Sequence, residues 1–117
     1  MFNCLIAVPS QPPTSFSLTA KTSTIIEVTW QPPPADTRNG IIKGFKLFYK
    51  KRSTPGPLTT MLLIDDGTAR RKDVTGLAEY TEYQFQVLAY TSAGDGLKSS
   101  VKYKKTKEDG KEMIKND

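Results

Sequence analysis

The side chains best able to do chemistry in this sequence are cationic. Lys46 and Lys50 flank Phe48, Lys102 and Lys104 flank Tyr103, and Arg70, Arg71 and Lys72 stand in a row. Ammonium and guanidinium groups so placed attract carboxylates, sulfates and phosphates, and they do not by themselves make or break covalent bonds. Lysine and arginine exceed aspartate and glutamate by 17 to 12, giving a formal net charge of +5 that, with no histidine present, stays constant around neutral pH. Without histidine no Ser-His-Asp or Cys-His system can be assembled. The lone Cys4 offers neither an intrachain disulfide nor a zinc site. Asp65-Asp66 and Glu108-Asp109 lack the ligand spacing of a calcium loop and read as solvated turn and tail positions. The expected chemistry is recognition, not catalysis: no catalytic residue, no metal site and no cofactor.

The elements that must carry these side chains are strands. A chain of 117 residues suits one domain, and it contains no run of about 18 apolar residues of the kind that inserts into a membrane. Alternation with a period of two runs from residue 14 onward, and turn signals recur at the spacing of sandwiches and barrels. Phe16 and Leu18 share a face in the first run, and Ile26, Val28 and Trp30 in the second, which Pro32-Pro33-Pro34 must end for want of N–H donors. Asn39-Gly40 marks a turn before the run carrying Phe45, Leu47 and Tyr49. Leu58 to Ile64 alternates poorly and reads as a strand near a sheet edge. Thr68 to Val74 follows, and Tyr83, Phe85, Val87 and Ala89 line one face of what should be a central strand. Ser92 to Gly96 reads as a glycine-rich hairpin loop, in which Asp95 is expected to bond turn N–H groups. Ser99 to Thr106 reads as a final strand with Val101 and Tyr103 inward. Residues 1–9 are expected to form a linker or junction, 10–106 the domain, and 107–117 a disordered polar tail.

Seven strands in that span, with one tryptophan on the second and a tyrosine opening the sixth, resemble the fibronectin type III family. The stretches that carry the resemblance are Pro12-Pro13, Val28 to Pro33, Gly44 to Tyr49, Leu77, Tyr83 to Ala89, and Ala93 to Gly96. Two positions depart from the family pattern, Glu79 and Leu97 standing where proline is frequent. The resemblance implies an all-β, seven-stranded antiparallel immunoglobulin-like sandwich in which Trp30, Leu77 and Tyr83 are structural core. The tyrosine hydroxyl would then bond backbone near Leu77. The stretch from Asn39 to Phe45 is similar to modules of neuronal adhesion and guidance receptors such as the netrin-receptor and sidekick groups. Ala93 stands where an integrin-binding Arg-Gly-Asp would begin, so that motif is not present.

The family arrangement implies that the third, sixth and seventh strands lie side by side. Lys46, Phe48 and Lys50 would then share a face with Gln84, Gln86 and Leu88, flanked by Lys102 and Lys104: a basic face with an apolar centre. Arg70, Arg71 and Lys72 make a second basic cluster. The function expected from the resemblance is a non-catalytic protein-interaction and spacer module in the extracellular part of a membrane-anchored or secreted multidomain adhesion or receptor protein. Its partner would be a protein at the cell surface, and the isolated module a monomer. Two alternatives stand beside it, an intracellular structural module of a filament-type repeat protein and a module binding sulfated, heparin-like glycans through the lysine face. No nucleic-acid recognition element is visible.

Overall fold

The computed structural model describes residues 8–58 and 60–108. Eight strands follow in order: β1 (Thr14–Ala20), β2 (Ile26–Gln31), β3 (Gly44–Lys51), β4 (Thr60–Ile64), β5 (Arg71–Val74), β6 (Glu82–Thr91), β7 (Gly94–Asp95) and β8 (Lys102–Lys105), with one short 3-10 turn at Ala35–Thr37. All pairings are antiparallel. They build a three-stranded sheet β1-β2-β5 and a five-stranded sheet β4-β3-β6-β7, in which β8 also pairs with β6.

Alternation decides which side chains fill the space between the sheets. In β2, Ile26, Val28 and Trp30 are buried while the residues between them are half-exposed. In β6, Tyr83, Phe85, Val87 and Ala89 point the same way, inward. Trp30 meets Phe45 of the opposite sheet with ring centroids 5.3 Å apart and planes tilted by 55°, a favoured edge-to-face geometry. Phe16, Leu47, Val74 and Leu77 complete the same core. Each large side chain so buried stabilises the fold by about 1.5–3 kcal/mol.

The strand beyond the expected seven is β7, a product of the last hairpin. Thr91 pairs with Gly94, so the loop is only Ser92 and Ala93, and Gly94-Asp95 already belongs to the ladder. Gly94 takes φ 140°, which a side chain would strain. The N–H of Ala93 donates to the Thr91 hydroxyl, so Thr91 and not Asp95 secures this turn. Between Gly96 and Lys102 regular pairing lapses and Ser99 stands in for it. The Ser99 N–H donates to the Val87 carbonyl, the Val87 N–H donates to the Ser99 hydroxyl, and the Gln86 amide donates to the Ser99 carbonyl.

The two ends of the sandwich are distinct. Pro9, expected in the leading segment, is fully buried, and a Cβ added to Gly96 would lie 2.8 Å from its ring. The Asn39 side chain donates to the Val8 carbonyl, and the Ser10 N–H to the Thr37 carbonyl, so the chain enters beside the β2–β3 loop. It leaves at the other end of β2, where the Lys107 N–H donates to the Thr22 carbonyl and the Lys107 carbonyl accepts from Tyr80. The rest of the expected leading segment and of the expected tail lies outside the described residues.

The Tyr83 ring is buried and its hydroxyl accepts the N–H of Ala78, next to the buried Leu77. Tyr83→Phe should therefore cost about 1–3 kcal/mol by orphaning that N–H. Trp30→Ala should cost about 3–5 kcal/mol through the cavity left against Phe45. Urea denaturation of the two variants measures both, and the order of the two losses is the check.

Candidate functional site

The register of the five-stranded sheet fixes what its outer face presents. Lys46, Phe48 and Lys50 of β3 point outward, with Leu63 and Met61 of β4 opposite the first two and Leu88, Gln86 and Gln84 of β6 opposite all three. Beyond β6, Tyr103 lies opposite Gln84, Lys105 opposite Glu82, and Asp95 opposite Tyr90. The expected strand neighbours are therefore present, but the composition of the face differs from the expected one in three respects.

Lys102 and Lys104 belong to the other side. They stand opposite Phe85 and Tyr83, whose rings face the core, and the Lys102 ammonium lies 5.9 Å from the Phe16 ring centroid. Tyr103, expected inward, points outward and is 47% exposed. The reason is the length of the hairpin loop: a five-residue loop would have set Lys102 and Lys104 against outward residues of β6. The two-residue loop, with two further residues taken up between Gly96 and Lys102, leaves the pairing of β8 shifted by an odd number and turns every side chain over. Leu88 does point outward, yet it is 2% exposed and offers no contact surface. The exposed apolar residues are instead Met61 at 42% and Leu63 at 56%, both on the edge strand β4. Sequence reasoning missed them because Met61, Leu62, Leu63 and Ile64 form an unbroken apolar run, in which the alternation is hidden.

The cations on this face are already engaged. The Lys46 ammonium pairs with the Asp95 carboxylate at 2.9 Å and lies 5.7 Å from the Tyr90 ring centroid. Lys50 donates to the carbonyls of Thr54 and Gly56 in the following turn. Lys98 covers the half-buried Phe48, its ammonium 4.4 Å from the ring centroid. Arg52 lies 4.4 Å from the Tyr103 centroid while pairing with Glu82 at 3.0 Å.

The second basic cluster does not converge either. Arg71 faces outward on the three-stranded sheet, its guanidinium 3.3 Å from the Glu27 carboxylate. Lys72 stands opposite Val28 and so points the other way, at the sheet edge. Arg70 folds back onto its own loop, donating to the carbonyls of Gly67 and Ala69. No group of three or more His, Cys, Asp or Glu side chains able to hold a metal ion occurs among the described residues, and no described helix is long and apolar enough to cross a membrane.

The sequence model of the fibronectin type III domain matches residues 11–106, and the strands, the core tryptophan and the tyrosine–backbone bond all lie within that span. The chain belongs to the fibronectin type III family. This fibronectin type III domain is 41% identical over 102 residues to the human cell adhesion molecule DSCAML1, covering 87% of this chain and 5% of that protein. It is 35% identical over 97 residues to mouse protein sidekick-2, covering 80% of this chain and 4% of that one. The chain thus spans only about a twentieth of the length of these curated relatives. Among solved structures, the FN5 domain of Drosophila Lar is similar with a TM-score of 0.65 and 32% identity, over 86% of this chain and 98% of that one. The chicken CNTN1 FN1-FN3 domains share the fold with a TM-score of 0.75 and 21% identity, over 86% of this chain and 33% of that one.

At one corner of the outer face, the Tyr90 hydroxyl of this fibronectin type III domain donates to the Asp65 carboxylate at 2.7 Å. Burial, then that bond and the charges of Asp65 and Asp95, push the Tyr90 phenol up to about 12. Nearby, the Asp66 carboxyl is held below its usual range by the hydroxyl and N–H of Thr68, which both donate to it. For a phenol raised in the folded state, the neutral form is the one stabilised. The contribution is whole below the unfolded tyrosine value near 10 and is lost as the pH climbs through about 12. Ultraviolet titration should show the Tyr90 phenol ionising late, a step that Tyr90→Phe should abolish and Asp65→Asn should move down.

Proposed function

We propose that this fibronectin type III domain is a non-catalytic protein-interaction and spacer module, monomeric on its own, in the extracellular part of a membrane-anchored cell-adhesion or receptor protein. The reading rests on the identity of 41% over 102 residues with a cell adhesion molecule, of which the match spans 5%.

Two structural features support it. The chain enters beside Asn39 and leaves beside Thr22, at opposite ends of β2, which is the layout a spacer in a tandem array requires. On the five-stranded sheet, β4 forms an edge with no charged residue and carries the exposed Met61 and Leu63. Edge strands are ordinarily blunted by charge, as β8 is by Lys102, Lys104 and Lys105. Met61 and Leu63 are already about half covered, so burying what remains under a partner surface would contribute about 1 kcal/mol for each, less the cost of ordering the contact.

The glycan-binding alternative has less behind it. Lys46 is paired with Asp95, Lys50 is bound to carbonyls, and Lys102 and Lys104 lie on the other side of the sheet from both.

An array of purified cell-surface ectodomains probed with the labelled chain tests the reading. Saturable capture is expected on at least one ectodomain, weakened about tenfold by Met61→Glu or Leu63→Glu and indifferent to heparinase. In parallel, a two-dimensional NMR titration with a heparin fragment should give shifts that scatter and fade at physiological salt. No capture on the array, combined with concerted and salt-resistant shifts at Lys46 and Lys50, would overturn the protein-contact reading in favour of the glycan one.

A further inference from the structure

The described cations that face an acidic partner leave two arginines over. Lys21 pairs with Asp73, Lys46 with Asp95, Arg52 with Glu82 and Arg71 with Glu27. Among the described residues, Arg38 and Arg70 have no carboxylate within ion-pair distance, and both line one cavity of about 420 Å3 between the β2–β3 and β4–β5 loops. That volume falls within the usual range for a ligand site.

The cavity is built from the sequence upward. Pro32-Pro33-Pro34 ends β2, and the 3-10 turn at Ala35–Thr37 brings Arg38 back so that its Nε donates to the Pro33 carbonyl at 2.9 Å. On the facing loop, one terminal nitrogen of Arg70 donates to the carbonyls of Gly67 and Ala69, at 3.1 and 2.9 Å. Gly67 makes the approach of the loops possible: a Cβ there would lie 2.1 Å from the Ile42 carbonyl oxygen. Each guanidinium is thus fixed by backbone acceptors through one nitrogen, and its remaining N–H donors are unassigned. No aspartate or glutamate lines the cavity. The neighbouring Asp66 accepts from the hydroxyl and N–H of Thr68, at 2.6 and 2.9 Å, and its charge acts on Arg70 only from beyond ion-pair distance.

The lip is apolar. Asn39 at φ 57° and Gly40 at φ 152° turn the chain so that Ile41 stands 77% exposed beside the opening, with Ile42 half-buried behind it. Planar guanidinium forks match a carboxylate bidentately, and an exposed isoleucine rewards an aliphatic neighbour, not a hydroxyl-rich sugar.

We propose that the cavity between Arg38 and Arg70 binds an aspartate or glutamate side chain of a partner protein, with Ile41 covering an aliphatic residue beside it. This deepens the protein-contact reading and places a second contact at the entry end of the domain, away from Met61 and Leu63.

The test is an NMR titration of the labelled chain with an acetylated, amidated Leu-Glu-Leu peptide, its Leu-Gln-Leu counterpart and a heparin hexasaccharide. The glutamate peptide should move the Arg38, Gly40, Ile41, Thr68 and Arg70 amides together, and the glutamine peptide should bind about tenfold more weakly. Arg38→Gln and Arg70→Gln should each reproduce that loss. Because Arg70 also holds its loop, Arg38→Lys supplies the second arm: it keeps the charge and loses the fork, and binding should still fall several-fold. Ile41→Ser should weaken the peptide and leave its glutamate-over-glutamine preference intact. Concerted shifts at these amides with heparin and not with peptide, equal binding of the two peptides, or full binding by Arg38→Lys would each overturn the assignment. Met61→Glu and Leu63→Glu should leave peptide binding unchanged, so failure of the cavity and failure of the β4 contact read out separately.

Discussion

The ladder between β3 and β6, unbroken from Gly44 and Tyr90 to Lys51 and Tyr83, is the constraint on which the other features depend. It sets Phe45, Leu47, Phe85 and Val87 against Trp30 and Val28 of the other sheet, and so forms the core. The same alternation commits Lys46, Phe48 and Lys50 to the outer face, because a strand cannot turn one side chain inward without turning the next one out. Gly44 marks how close the packing is at the start of this ladder: a Cβ there would sit 2.2 Å from the Ile64 carbonyl oxygen. Edge strands then inherit their facing from this pair, β4 directly through β3 and β8 through β6.

Much of this was legible in the sequence, and what was not has identifiable causes. The buried faces of β2 and β6 could be read because period-two alternation is the signature of a half-buried strand, and Trp30 and Tyr83 stand within it. The facing of Lys102 and Lys104 could not, since the stretch from Ser92 to Gly96 is compatible with a short or a long loop and the two give opposite answers. The exposure of Leu88 was likewise beyond reach: pointing outward is a local property, whereas being covered depends on how neighbouring segments run. Arg38 and Arg70 are distant in sequence and share a cavity only because Gly67 lets one loop lie on the other.

The electrostatics of the domain are more local than its net charge suggests. Most cations of the outer face are spent on a near neighbour, whether a carboxylate (Lys46, Arg52), a pair of carbonyls (Lys50) or an aromatic ring (Lys98). Exposed pairs of this kind add little stability each. Their larger effect is to leave an outer face that is chemically quieter than a count of its lysines implies, with the apolar contacts displaced toward β4 and the unpaired guanidiniums gathered at the entry end.

The placement of entry and exit at opposite ends has a mechanical meaning. The first long strand runs from the entry end and pairs with β2, apart from an irregularity between Thr14 and Ser17, while the last runs toward the exit and pairs with β6. Tension applied through flanking chain would pull β1 and β8 along their own axes in opposite directions. Ladder bonds strained that way share the load and must yield together, whereas bonds peeled from one end would yield singly. A module so connected resists extension until it gives way in one step, and it keeps its surfaces at a fixed spacing while it holds.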